Sequence, residues 1–116
     1  MRNSLSDATR VEHILEAIAT IDRHLSDVSI EAFVENELLT NLAAMQVSII
    51  GEALGCLSES FREKHPHLPY SEAKDMRNFI MHEYFGINYE ILWRTCVENL
   101  PELKEQLEAI QKNKEV

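Results

Sequence analysis

Val11, Ile14, Leu15, Ile18, Ile21 and Leu25 recur at the steps of a single helix face, and this spacing most restricts what the chain can fold into. A strand would need apolar residues at every second position, and no segment offers that alternation. The helical spacing returns between Ser29 and Phe61, where Phe33, Leu38, Leu42, Met45, Ile49, Ala53 and Leu57 predict a long apolar face with a break near Glu35 to Glu37. Three glycines and three prolines leave few turns. The expectation is an all-α chain, an up-and-down bundle of four to five helices. At 116 residues it suits one domain, 1–116.

Polar residues and prolines mark the helix ends. Asp7 or Thr9 suits the cap of the first helix, and residues 27–29 suit the next turn. In KHPHLPYS, residues 64–71, Pro66 and Pro69 each disfavour helical geometry in the residue before them, so a loop is expected. The next helix should run from Pro69 or Ser71 to Phe85, with Gly86 as a left-handed cap. Asn88 can cap the helix after it, which would carry Ile91, Leu92, Thr95 and Cys96 inward. Pro101 interrupts that helix, and Asn99 with Glu102 has the spacing of a capping box. Leu103, Leu107 and Ile110 extend an apolar stripe beyond it.

A net charge of −9 and a pI near 4.9 exclude nucleic-acid binding through a generally basic surface, so any such contact must be local. From His24 to Phe61 there is no Lys or Arg, but Asp27, Glu31, Glu35, Glu37, Glu52 and Glu59 are acidic. That stretch is either a solvated face or a dock for a basic partner. Residues 61–82 are the least acidic, with Arg62, Lys64, Lys74 and Arg77 against Glu63, Glu72 and Asp75, and these cations are the candidates for contacting RNA. Cys56 and Cys96 lie outside any metal-ligand spacing and fit reduced, buried thiols. His65 and His67 flank Pro66 without further ligands, so no metal or cofactor is expected. No apolar signal core opens the chain, and no apolar run approaches the roughly 20 residues that span a bilayer. No membrane role and a cytoplasmic location are expected.

The densest chemistry lies in MRNFIMHEYFG, residues 76–86. With each helical residue advancing roughly 100°, Ala73, Met76, Phe79 and Ile80 form the inward face. Arg77 and Tyr84 then fall within about 20° of each other at one edge, and His82 projects about 120° from Met76. Arg77 and His82, about 140° apart, meet only if the last turn distorts or if a two-fold dimer joins them from both chains. Histidine can move a proton near neutral pH, and arginine can hold a phosphate and stabilise developing charge, a pairing suited to RNA phosphodiesters. The RNA 2′-hydroxyl is an internal nucleophile, so 2′,3′-cyclic phosphate ends and no cutting of DNA are expected. Asn78 could contact the phosphate or orient His82, Glu83 could tune His82, and Glu52 could pair with Arg77 or another cation. Each also has a plain surface reading.

Residues 77–84, RNFIMHEY, resemble the R-x4-H-x-Y signature of the HepT-like branch of the HEPN superfamily. The resemblance spreads over RVEHILEAI, SIIGEAL, HPHLPY, RNFIMHEYFGINYEILW and LPELKEQL in the same order. It implies an all-α, dimeric ribonuclease toxin of a type VII system, with Arg77 and His82 as the catalytic pair. It also implies a MntA-type minimal nucleotidyltransferase antitoxin that transfers AMP from ATP to Tyr84. The rival expectation is a non-catalytic helical module that recruits or regulates a nucleotidyltransferase.

Overall fold

A computed structural model describes residues 5–116, and no strand occurs among them. The helices are α1 (Asp7–Leu25), α2 (Ile30–Val34), α3 (Glu37–Gly55), α4 (Glu59–Lys64), α5 (Tyr70–His82), α6 (Tyr89–Arg94) and α7 (Leu100–Lys112). A 3-10 turn, Tyr84–Gly86, follows α5, and a π turn, Thr95–Asn99, joins α6 to α7. The long rods are therefore α1, α3, α5 and the α6–α7 run, with α2 and α4 as short connectors. This is the expected all-α bundle, with the break near Glu35 in place.

The predicted α1 face is buried throughout except at Leu15, which is half-buried. Its cap is neither Asp7 nor Thr9 but Ser6, whose side chain accepts the Thr9 N–H. Asp7 is used elsewhere: it accepts the Ser58 backbone N–H at 2.9 Å and the Ser58 hydroxyl at 2.6 Å. Ser58 itself caps α4, so Asp7 ties the starts of two helices together.

α3 lies between α1 and α5 and makes the most extensive packing in the bundle. Its buried side is Thr40, Ala43, Ala44, Val47, Ile50, Gly51, Ala53 and Leu54. The expected face is corrected: Leu38, Met45 and Ile49 are exposed. Small residues form the contact because they let neighbouring backbones approach. By length and composition α3 is also apolar enough to cross a membrane, but here it is the central helix of the core.

At α5 the expectation of one helix to Phe85 is also corrected. The helix stops at His82 because Glu83 takes φ −130° and ψ 43°, and its N–H donates to the Phe79 carbonyl at 2.7 Å. Gly86 closes the following 3-10 turn with no positive φ, so the left-handed cap does not form. Ile80 is the one buried residue of α5, whereas Phe79 is exposed, since α5 packs chiefly on α3.

Asn88 caps α6 as expected, accepting the N–H groups of Glu90 and Ile91. Leu92 and Cys96 turn inward, but Ile91 is exposed and Thr95 half-buried. The Asn99 capping box is absent: Asn99 is helical and makes no side-chain cap. The rod continues instead, because the wider π turn takes up the dislocation that Pro101 would force on the preceding carbonyls. Both cysteines are free thiols, with Cys96 buried and Cys56 only half-buried. Burial pushes the Cys96 thiol up to about 12.

Gly51 sets the α3–α5 distance. A Cβ there would lie 2.7 Å from the Ala73 carbonyl oxygen and 2.7 Å from Arg77 Cβ. Gly51→Ala should therefore lower stability by about 1–3 kcal/mol in urea unfolding, although alanine is the better helix former. An unchanged or higher midpoint would contradict this close packing.

Candidate functional site

The contact at Gly51 presses the base of Arg77 against α3, where Glu52 is the next residue. Arg77 Nη2 meets Glu52 Oε1 at 2.9 Å, and Arg77 Nη1 donates to Asn78 Oδ1 at 3.0 Å. The guanidinium is thus gripped from two sides and held at the surface. Asn78 turns toward Arg77 and not toward His82.

The Arg77–Glu52 pair forms a ridge between two clefts. One, of about 300 Å³, is lined by Gly55, Arg62, Tyr70, Lys74 and Asn78 as well as the pair. The other lies on the α1 side. Lys74 is exposed beside the first cleft. Arg62 borders the same cleft, but its Nε donates to the Leu57 carbonyl at 3.2 Å and its Nη2 to the Gly55 carbonyl. Its guanidinium also lies 5.3 Å from the Tyr70 ring centroid. Arg62 therefore closes the C-terminal end of α3, where a cation meets the helix dipole. Tyr70 donates to the His65 carbonyl at 2.8 Å, and burial raises its phenol above the ordinary tyrosine range. Lys64 is placed apart, in a separate cleft with Asp7, Phe61 and Glu115.

His82 and Glu83 are exposed at the end of α5, and His82 lines neither cleft that shares Arg77. Tyr84 leaves the helix altogether. Its hydroxyl donates to Asn41 Oδ1 on α3, so the phenol reaches its position through the 3-10 turn and not along the α5 edge. Beside it Leu38, Met45, Ile49, Met81 and Phe85 are exposed, an apolar band across α3 and the end of α5.

Sequence reasoning missed Asn41, and it missed Arg10 and His13, which α1 brings to the second cleft. The RVEH spacing puts Arg10 and His13 on one side of α1, but only the fold shows that Arg77 faces them.

The family model for ribonuclease HepT-like proteins matches residues 14–110. A protein of Caldanaerobacter subterraneus subsp. tengcongensis named "Putative RNase TTE0752" is 41% identical over 105 residues, covering 90% of this chain and 94% of the relative. "Putative RNase MJ1380" of Methanocaldococcus jannaschii is 33% identical over 97 residues, 84% of this chain and 89% of its own length. "Probable ribonuclease HepT" of Thermococcus cleftensis is 32% identical over 102 residues, 88% and 93% of the two chains. No solved structure matches.

The side chains of Arg77 and Glu52 remain 35% and 52% exposed, so water screens their ion pair and it holds geometry more than it adds stability. Glu52→Gln should shift urea-unfolding stability by less than about 1 kcal/mol. A loss of several kcal/mol would assign Glu52 to the core and not to the site.

Proposed function

The chain belongs to the ribonuclease HepT-like family, and from that premise we propose that it is a metal-independent endoribonuclease toxin neutralised by adenylylation of Tyr84. The observation that carries the reading is the fixed guanidinium of Arg77, clamped by Glu52 and Asn78 at the lip of a cleft, on the same helix as an exposed histidine.

In the proposed reaction Arg77 binds a nonbridging phosphate oxygen and stabilises the charge that develops there. The ribose 2′-oxygen attacks phosphorus, the bond to the 5′-oxygen breaks, and a 2′,3′-cyclic phosphate forms. His82 exchanges protons with these oxygens, taking one from the 2′-hydroxyl or giving one to the leaving group. A homodimer completes the site. In support, Leu38, Met45, Ile49 and Met81 are exposed, Ile49 and Met81 line a cleft with Arg77, and a second copy covering them could bring its own His82 to the cleft.

Control would come from a MntA-type nucleotidyltransferase, with ATP serving only that partner as AMP donor. The Tyr84 oxygen attacks the α-phosphorus of ATP, its proton and pyrophosphate leave, and each transfer adds one AMP with a negative phosphate in the turn after α5. The phenol is accessible, but it must first leave Asn41.

Purified protein should cleave RNA and leave DNA intact, and Arg77→Ala and His82→Ala should each reduce cleavage by about a hundredfold or more while remaining folded. Full activity in both variants would overturn the catalytic assignment, and intact RNA with wild-type protein would favour a binding module. Co-expression with the partner should add mass in units of AMP, read by mass spectrometry. Tyr84→Phe should abolish that gain, and an unchanged gain would reject Tyr84 as acceptor.

A further inference from the structure

The second cleft beside Arg77, about 270 Å³, is walled by Arg10 and His13 of α1, Ser48 and Ile49 of α3, and Met81 of α5. The proposed reaction places the scissile phosphate at Arg77 and gives these α1 residues no role. We propose that this cleft is a phosphate-binding subsite that holds the RNA backbone next to the scissile phosphate, an inference that rests on the ribonuclease reading above.

Three observations carry it. The cleft concentrates the cations Arg10 and Arg77 with an imidazole, and its one acid, Glu52, is already paired with Arg77. In a chain of net charge −9, such a patch is not the by-product of a basic surface. Second, Arg10 Nε and Ser48 Oγ are buried atoms without a hydrogen-bond partner among the described residues. Buried donors are normally satisfied, and these two, closed off from the cleft as they stand, would meet an anion's oxygens once the side chains turn outward. Third, the cleft shares the Arg77–Glu52 ridge with the cleft that carries Lys74. A strand crossing the ridge would meet Arg10 and His13 on one side and Lys74 on the other.

The donor set also defines the ligand class. Arg10 and Ser48 suit phosphate oxygens.

The test uses the full chain and a single-stranded 2′-O-methyl RNA oligonucleotide, which cannot supply the internal nucleophile and so reports binding alone. Fluorescence anisotropy should show Arg10→Gln and His13→Gln each weakening binding, by about tenfold for Arg10→Gln. The slope of log affinity against log salt should fall by about 0.7 for Arg10→Gln, as expected for one lost phosphate contact on a single strand. Ser48→Ala should weaken binding less, and Arg23→Gln, in the last turn of α1 and away from Arg10, should leave it unchanged. With cleavable RNA, KM should rise in Arg10→Gln while kcat stays within about twofold of wild type.

Wild-type affinity and salt slope in a folded Arg10→Gln protein would overturn the subsite, whatever the cleavage result. An equal loss in Arg23→Gln would also overturn it, by showing only a general charge effect. A wild-type protein that binds the oligonucleotide through Arg10 and His13 yet never cuts RNA would support the subsite and overturn the ribonuclease reading. Failure of the wild type to bind RNA would overturn both.

Discussion

The α3–α5 contact at Gly51 is the constraint on which the rest depends. With hydrogen in place of a side chain, α3 lets the Ala73 carbonyl and the Arg77 Cβ come within distances that no other residue type would permit. That approach puts Glu52 beside the Arg77 guanidinium at 2.9 Å and divides the surface into two clefts along the ion pair. The core and the candidate site therefore share a single packing decision. Ala43, Ala44 and Ala53 extend the same logic along α3, whose buried side is built largely of small residues.

This choice also explains what periodicity could and could not reveal. On α1 one side is apolar and the other polar, so spacing alone identified the buried face. On α3 both sides are apolar. The large residues Leu38, Met45 and Ile49 drew the reading to one face, whereas the small ones pack against α1 and α5. Hydrophobic size predicts burial when space is available, but close helix packing selects against it. At Pro101 the difficulty was local: a proline and a cap-like spacing suggested an end, and the π turn kept the rod continuous.

The site was legible to the extent that its residues share one helix. Arg77 and Asn78 are neighbours, and Glu52, an acid within an apolar stretch, was open to pairing with Arg77 or to plain exposure until the fold set it against Arg77. Tyr84 was placed on the Arg77 edge by extending α5 through Phe85, but the helix ends at His82 and the phenol reaches Asn41 through a different turn. Asn41 comes from α3 and Arg10 and His13 from α1, and only tertiary packing brings them near residues 77–84. No spacing within a single segment carries that information.

His82 shows why the arrangement points outward. Within one chain Arg77 is held against α3, and the end of α5 leaves His82 exposed and away from both clefts. A proton donor that is free in solution contributes little until it is held within hydrogen-bonding reach of the reacting oxygen. Ile49 and Met81 of the exposed apolar band line a cleft with Arg77, where burial would favour association and association would bring a second α5 to the cleft. In that assembly the requirement that leaves large residues outside α3's packing face would also supply the surface that completes the reaction site. Adenylylation of Tyr84, beside this band, would then act at the interface, so a single modification could silence the enzyme without unfolding it.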